Sequence, residues 1–183
     1  LNLREFVGMH AQVRELVEQA IDRIAHRDTI DLLADFCYEL PAQVVFKVLG
    51  IPDSDIADVK KWAGARSVIG WRRIALEEVE FSGVKIPKGA PILLSLASAN
   101  RDEAVFENAQ RLDIRRKNAR KQLTFGNGVH FCLGAPLARM EMKIVLEQFA
   151  IRFPRMRLIE PDAASHMHTF IFRAPDALHV ALR

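Results

Sequence analysis

The feature that most constrains this chain is a glycine-rich loop around one cysteine, directly before a helical pattern. The loop reads Phe125-Gly126-Asn127-Gly128-Val129-His130-Phe131-Cys132-Leu133-Gly134. Glycines lack a Cβ, so the backbone at Gly126, Gly128 and Gly134 can turn sharply and let a large flat ligand approach. At the start of a helix, backbone N–H groups and the helix dipole favour a thiolate. The loop therefore predicts that Cys132 is a reactive or metal-binding residue.

The alternative for Cys132 is a structural role, because a lone cysteine in an apolar stretch is usually a small buried hydrophobe. An aromatic residue, three glycines and a histidine at fixed offsets from it favour the functional interpretation. The other cysteine is Cys37. A chain with so few cysteines does not indicate a disulfide framework and is typical of a reducing cytoplasm.

Composition indicates a globular protein and excludes some classes. Half of the 183 residues are hydrophobic, and the net charge is +3. No apolar run approaches the roughly 20 residues that span a bilayer, so we expect no membrane insertion. A charge this small does not indicate nucleic-acid binding, and no recognition motif with interleaved aromatic residues accompanies the basic ones.

Hydrophobic periodicity predicts helices in the first third of the chain. Apolar residues at spacings of three and four predict a first helix over 7–27. A second pattern extends over 31–49; its first residue is a candidate N-cap, and Pro41 is expected to bend or interrupt it. A third, short helix is expected to end at Trp62.

Alternating residues predict small sheets in the rest of the chain. Val79–Phe81 and Val84–Ile86 alternate on either side of a Ser-Gly turn, and Ile92–Leu94 is expected to complete that sheet. A final hairpin is predicted from 170–172 to 178–180.

A long last helix is predicted over Ala135–Arg152, where Pro154 closes the pattern. The apolar residues expected on its buried face are Leu137, Met140, Ile144, Val145 and Phe149. The predicted fold class is therefore mainly α with small β-sheets.

The run Phe-x-x-Gly-x-His-x-Cys-x-Gly resembles the haem loop of the cytochromes P450. Its continuation, Ala135-Pro136-Leu137-Ala138-Arg139, is similar to the helix behind the haem in that family. The earlier runs Asp-Leu-Leu-Ala-Asp-Phe and Leu-Gly-Ile-Pro resemble a helix pair of bacterial members. The resemblance implies a partial cytochrome P450 fold of the soluble bacterial type, with an early helical region and the region of the haem loop and last helix.

The resemblance also implies the roles of the loop residues. Cys132 would be the metal ligand, binding the haem iron as a thiolate. The N–H groups of Leu133 and Gly134 would hydrogen-bond its sulfur and tune the iron. Gly126 and Gly128 would let the backbone approach the haem.

Three further side chains take cofactor-binding roles by the same resemblance. Phe125 would pack beside the cysteine and exclude water. His130 would hydrogen-bond a haem propionate, with an exposed surface histidine as the alternative. Arg73, at the start of the sheet, matches a second propionate-binding position.

Two motifs of the family are not found in this sequence. No glutamate is followed by arginine three residues later, and the acid–alcohol pair of the distal helix has no correctly placed equivalent. Ala63-Gly64-Ala65-Arg66-Ser67 matches that second motif only superficially, so no catalytic residue is identified.

Before Ser67 the chain resembles an early helical region of the family, and after Arg73 it resembles the sheet that precedes the haem loop. Residues 1–183 are therefore interpreted as one incomplete domain with a junction between 67 and 73. Three explanations stay open: joined pieces of a longer protein, an engineered miniature, or a natural homologue with an internal deletion.

The leading functional hypothesis is a haem-thiolate monooxygenase that inserts one oxygen atom from dioxygen into a small organic substrate. Electrons would come from NAD(P)H through a reductase and a ferredoxin. The alternatives are a non-catalytic haem-binding fragment or engineered scaffold, and a peroxygenase driven by hydrogen peroxide.

A basic run lies just before the loop and consists of Arg115, Arg116, Lys117, Arg120 and Lys121. Such runs are often solvated surface. Its place on the proximal side, as the resemblance implies, suggests that it docks an acidic ferredoxin.

Overall fold

The computed structural model of the chain describes residues 3–49, 67–68, 70–159, 172–173 and 175–183. The chain divides into two compact units, which we describe separately. Unit 1 comprises the described residues of 1–65, 133–167 and 175–183, and unit 2 those of 66–132 and 168–174. The short helix expected to end at Trp62 lies outside the described residues. The interpretation as one incomplete domain with a junction between 67 and 73 stays a prediction.

Short strands are interspersed with helices of very different lengths. In chain order the elements are α1 (Leu3–Ile24), β1 (Thr29–Asp31), a π-helical turn (Leu33–Cys37), α2 (Leu40–Leu49), β2 (Ser67–Val68), β3 (Gly70–Ile74), β4 (Val79–Phe81), β5 (Val84–Ile86), β6 (Pro91–Ser95), α3 (Leu96–Ala99), two 3₁₀ turns (Ala119–Lys121 and Gly128–His130), α4 (Ala135–Arg152), β7 (Arg157–Leu158), β8 (Phe172–Arg173) and β9 (His179–Ala181). The predicted class, mainly α with small sheets, is confirmed.

The hydrophobic core of unit 1 lies between α1, α2, α4 and β9. Its buried members include Val17, Ile21, Val44, Ile144 and Val180. Helix α1 contributes the stripe that its periodicity predicted, since residues three and four apart share one helical face. Burying each such aliphatic side chain contributes about 1.5–3 kcal/mol, so this shared core carries most of the stability of unit 1.

The second predicted helix is divided into three elements. β1 comes first, the π-helical turn follows, and α2 begins at Leu40. Asp31 ends β1, and its Oδ1 accepts the N–H of Leu33 at 3.0 Å, which satisfies a donor at the start of the turn. Pro41 lies in the first turn of α2, where the missing N–H removes no helical hydrogen bond. The expected interruption near Pro41 is therefore confirmed, but the strand before it was not predicted.

The sheet of unit 1 has the order β1-β9-β7, and both pairs are antiparallel. Val180 at its centre is opposite Ile30 on one side and Leu158 on the other. The predicted final hairpin is wrong, because β8 pairs with β2 rather than with β9. Alternating hydrophobicity identifies a strand but not its partner, and here the buried Val180 and Leu182 join the core of unit 1.

Unit 2 contains three small antiparallel pairs, one of which is the β2–β8 pair. The predicted hairpin of β4 and β5 is confirmed, and its turn residues Ser82 and Gly83 both have positive φ, at 51° and 78°. The prediction that Ile92–Leu94 completes this hairpin sheet is wrong, because β6 pairs with β3. A Cβ at Gly70 would lie 3.0 Å from the carbonyl oxygen of Leu94, a tight contact that would push against strand β6.

Helix α4 has the predicted bounds and the predicted buried face. Met140, Ile144 and Phe149 are buried, and Leu137 and Val145 are partly buried against the same core. The Phe149 ring packs edge-on against Phe36, with centroids 4.8 Å apart. Among the described residues, no helix is both long and apolar enough to cross a membrane.

The cysteine loop as candidate functional site

The backbone of the loop is closed by hydrogen bonds within unit 2. The N–H of Gly126 donates to the carbonyl oxygen of Leu123 at 2.8 Å, and the N–H of Cys132 donates to that of Phe125 at 2.9 Å. Gly126 and Gly128 have φ of 75° and 73°, in the left-handed region that favours glycine. Gly134, by contrast, has φ of −80° and immediately precedes α4. Two of the three glycines therefore serve the predicted sharp turns.

Cys132 is an exposed free cysteine. The alternative interpretation, a small buried hydrophobe, is therefore wrong. Cys37 is half-buried, and burial raises the pKa of its thiol, with the nearby charges of Asp31 and Glu141 raising it further. Of the two thiols, Cys132 is the accessible one.

Apolar side chains accompany the exposed thiol. Val129 is 98% exposed and Leu133 is 88% exposed, while Phe125 is half-buried. A Cβ at Gly128 would meet no atom within 4 Å, so the loop is open on that side. Exposed apolar groups beside an open backbone suit a large flat apolar ligand.

The donor set also suits such a ligand. Nowhere in the described ranges do three or more His, Cys, Asp or Glu side chains form a group able to hold a metal ion. Zinc sites need three or four protein ligands, whereas haem brings its own nitrogen ligands and needs one axial group from the protein. A single accessible cysteine therefore fits haem iron.

The base of the loop is held by a residue that the sequence did not single out. The Oδ1 of Asn100 accepts the N–H of Leu123 at 2.6 Å, and its Nδ2 donates to Oγ1 of Thr124 at 3.1 Å. Asn100 is the C-cap of α3 and precedes these partners by 23 and 24 residues. No local pattern signals contacts at this separation.

The two predicted propionate-binding residues are both exposed. His130 closes the 3₁₀ turn of the loop. Arg73 lies on β3 opposite Ile92, and its Nη1 donates to the carbonyl oxygen of Arg72 at 2.8 Å. The structure thus places His130 within the loop and Arg73 on a separate strand of unit 2, and both roles stay predictions.

The basic run divides into one structural residue and four exposed ones. The guanidinium of Arg116 donates to the carbonyl oxygens of Glu107, Asn108 and Arg111, and it lies 5.8 Å from the centroid of the Phe106 ring. The residues whose side chains are exposed are Arg115, Lys117, Arg120 and Lys121. We call these four the basic patch.

The family model of cytochrome P450 matches residues 66–161, just over half of the chain, including the whole cysteine loop. The chain belongs to the cytochrome P450 family. Haem iron is the cofactor that membership of this family implies, and the exposed cysteine of unit 2 agrees with it.

Curated relatives from bacteria include two hydroxylases. The mycinamicin IV hydroxylase/epoxidase of Micromonospora griseorubida is 38% identical over 157 residues, which cover 81% of this chain and 39% of that protein. The 6-deoxyerythronolide B hydroxylase of Saccharopolyspora erythraea is 40% identical over 111 residues, covering 60% of this chain and 27% of that protein. The chain thus spans about two fifths or less of the length of these relatives.

Solved structures of cytochromes P450 share the fold. CYP109E1 from Bacillus megaterium, solved with testosterone, aligns with 100% of this chain and 81% of its own, at 18% identity and a TM-score of 0.89. Cytochrome P450 CREJ aligns with 99% of this chain and 74% of its own, at 21% identity and a TM-score of 0.91. At these identities the likeness concerns the fold alone, and the predicted partial cytochrome P450 fold is confirmed.

Proposed function

We propose that this protein is a haem-thiolate monooxygenase that inserts one oxygen atom from dioxygen into a small organic substrate. The observation that carries the proposal is the exposed thiol of Cys132 on a closed loop shaped by two left-handed glycines. Membership of the cytochrome P450 family and the hydroxylases among the relatives support it.

Each residue of the site has a part in this proposal. Cys132 binds iron as a thiolate, because deprotonated sulfur is the ligating form. The open backbone at Gly126 and Gly128 would let haem approach the loop, and Phe125 would exclude water beside the sulfur. His130 and Arg73 hold the propionates by charge-assisted hydrogen bonds. The N–H groups of Leu133 and Gly134 tune the sulfur.

Haem, when bound, would supply the dioxygen chemistry, and the Cys132 thiolate would be its ligand from the protein. The chain supplies the axial ligand, the orientation of the porphyrin and the exclusion of water on the cysteine side. All of these contributions come from side chains and backbone of the loop and of β3.

Electron delivery is the second part of the proposal. NAD(P)H supplies the electrons through a reductase and a ferredoxin-type protein in the cytoplasm. The four exposed cations of the basic patch lie shortly before the loop in sequence and suit an acidic partner. Because these charges are exposed, salt screens their attraction for a partner, which should therefore weaken as ionic strength rises.

The ligand assignment is tested by Cys132→Ala, with Cys37→Ala as the matched control. The ferrous carbon monoxide adduct of the haem-loaded chain should show the strongly red-shifted Soret band of thiolate ligation. Cys132→Ala should abolish this band, and Cys37→Ala should retain it. A histidine-type spectrum in a folded wild-type sample would refute the assignment.

The electron route is tested by charge reversal within the basic patch. Arg115→Glu with Arg120→Glu should slow reduction by a ferredoxin by about tenfold at low salt and flatten its salt dependence, as expected when steering is lost. Lys85→Glu with Lys88→Glu, which reverses two exposed cations on and just after β5, is the control of equal charge change. If the patch variant and the wild type are reduced at equal rates across a salt series, the basic patch is solvated surface and does not dock the ferredoxin.

Arg116 is left unchanged in that experiment. Its three carbonyl contacts mean that reversing its charge would disturb the segment it braces. A slower reduction would then not report on docking.

Two alternatives have support from the sequence. One is a peroxygenase driven by peroxide, and the other is a haem-binding fragment without catalysis. The chain has no Glu-x-x-Arg pair and no correctly placed acid–alcohol pair. Product formed with hydrogen peroxide but not with NAD(P)H and redox partners would favour the peroxygenase, and haem binding without any product would favour the fragment.

A further inference from the structure

We propose that Asn100 is a positioning residue for the cysteine loop. The proposal rests on the proposed function, in which Cys132 ligates haem iron. Asn100 does not touch Cys132 itself. It acts through the backbone that leads into the loop, and the structure traces that connection through consecutive hydrogen bonds of unit 2.

The first step is the anchoring of Asn100 on a regular element. It is the C-cap of α3, and its N–H donates to the carbonyl oxygen of Leu96 at 3.0 Å. At the other end of this helix, Oγ of Ser95 accepts the N–H of Ser98. Leu96 is buried, so the short helix is fixed by packing as well as by its caps.

The second step is the pair of contacts made by the Asn100 amide. Its Oδ1 accepts from the N–H of Leu123, and its Nδ2 donates to the hydroxyl of Thr124. The Leu123 contact is partly shielded from solvent. A partly buried N–H that loses its partner costs free energy, so water does not fully replace this contact.

The third step connects Leu123 to the cysteine. The carbonyl oxygen of Leu123 accepts the N–H of Gly126, which fixes the start of the loop. The carbonyl oxygen of Phe125, between these residues, accepts the N–H of Cys132. The position of the Leu123 backbone therefore fixes the segment through Phe125, and Phe125 in turn accepts the N–H of Cys132.

The residue type matters because one side chain must accept and donate at once. An asparagine amide carries both an oxygen acceptor and an NH₂ donor on a short stem. Aspartate at this position keeps the acceptor for Leu123 and loses the donor to Thr124. Alanine loses both, and Asn100→Asp is thus the conservative variant.

The matched control is Asn118. Its Nδ2 donates to the carbonyl oxygen of Val105 at 2.6 Å, so it is another asparagine of unit 2 that bonds backbone at a distance in sequence. Asn118→Ala removes a contact of the same kind that does not involve the loop.

The primary test needs no haem. Amide hydrogen exchange of the haem-free full chain should accelerate about tenfold at Leu123 and Cys132 in Asn100→Ala, the size expected for a lost hydrogen bond. Asn100→Asp should stay within about twofold of wild type at Leu123, and so should Asn118→Ala. The N–H of Leu94, in the β3–β6 pair, reports on general unfolding of unit 2.

Two exchange results would overturn the proposal. One is unchanged exchange at Leu123 and Cys132 in Asn100→Ala. The other is equal acceleration at Leu94, which would mean that Asn100 only stabilises unit 2 in general. Acceleration at Leu123 and Cys132 alone supports a positioning role.

The second readout is spectroscopic, on the haem-loaded chain. Asn100→Ala should lower the fraction of haem with the thiolate-type carbon monoxide band several-fold, and Asn100→Asp should restore most of it. An unaltered band in Asn100→Ala contradicts positioning. A failure of the proposed function would give a different result. Cys132→Ala would then leave the carbon monoxide spectrum of the wild type unchanged, and the hydrogen exchange at Leu123 would still show whether Asn100 fixes the backbone there.

Discussion

At the scale of single residues, two carboxylates of unit 1 show opposite effects of their surroundings. Burial by itself raises the pKa of Asp31, but hydrogen bonds from the backbone N–H groups of Leu178, Leu33 and Ala34 outweigh it and lower the pKa. Glu141 on α4 is half-buried, and burial raises its pKa to about 7. The charged form of Asp31 therefore stabilises the fold of unit 1, whereas the charged form of Glu141 destabilises it.

The raised pKa of Glu141 leads to a prediction about how the stability of the protein depends on pH. Because its folded-state pKa lies above the ordinary value of 4.5, folding favours the protonated form. Its favourable contribution is complete below about pH 4.5 and is lost as pH rises through about 7. Glu141→Gln should therefore raise the free energy of unfolding at pH 8 by about 1–2 kcal/mol, a value discounted for partial solvent screening, and change it little at pH 4.

Urea unfolding at the two pH values measures this difference, and Glu147→Gln is the control. Glu147 lies on the same helix and makes exposed ion pairs with Arg14 and Lys143, which contribute little to stability. A Glu141→Gln variant that is no more stable than wild type at pH 8 contradicts the prediction.

At the scale of elements, α4 shows that the spacing of apolar residues, and not their number, identifies the buried face of a helix. Its outward side chains Met142, Leu146 and Ile151 are large and apolar, like those of its buried face. Periodicity identified the helix and its core residues, because Met140, Ile144 and Phe149 recur at the required spacing. Composition alone does not distinguish the two faces.

The prediction for this element compares its two faces. Ile144→Ala leaves a cavity in a fully buried position and should lower the free energy of unfolding by about 2–5 kcal/mol. Leu146→Ala, at a position 62% exposed, should change it by less than about 0.5 kcal/mol. Similar losses for both variants in urea unfolding would mean that the outward face is also covered in solution.

At the scale of the whole molecule, unit 1 is closed by segments that are far apart in sequence. β1 pairs with β9, and the N–H of Leu178 donates to Oδ1 of Asp31 across 147 residues of sequence. Arg152 pairs with Asp22 across 130 residues. Bringing distant segments together costs conformational entropy, which the packing of the rest of the fold must compensate. Such contacts therefore depend on the complete fold.

The prediction at this scale concerns Asp31. Asp31→Asn removes the charge of a carboxylate that accepts the N–H of the neighbouring Leu33 and that of the distant Leu178. It should lower the free energy of unfolding at pH 7 by about 1–2 kcal/mol. Because the pKa of Asp31 is lowered from 3.8, its contribution is present above about pH 4 and is lost as pH falls below that.

Asp28→Asn is the control at this scale. Asp28 pairs with Arg183, but its side chain is 79% exposed, so the change should be within about 0.5 kcal/mol. Equal effects of the two variants at pH 7, or an Asp31 effect that persists at pH 2, would contradict the assignment.

The sequence by itself determined the features that depend on near neighbours along the chain. The bounds of α4, the β4–β5 hairpin and the cysteine loop follow from periodicity, turn residues and glycine spacing, all of which act within a few residues. The motif around Cys132 also identified the family, because its cysteine, histidine and glycines all lie within ten consecutive residues.

Only the tertiary structure decided what depends on partners far away. β9 pairs with β1 and β7 instead of forming the predicted hairpin, and β6 pairs with β3. Arg116 braces a turn instead of joining the basic patch, and Asn100 holds the loop from 23 residues away. The physical reason is that strand partners and long-range hydrogen bonds are selected by packing of the whole chain, whereas local patterns specify only the type of each element.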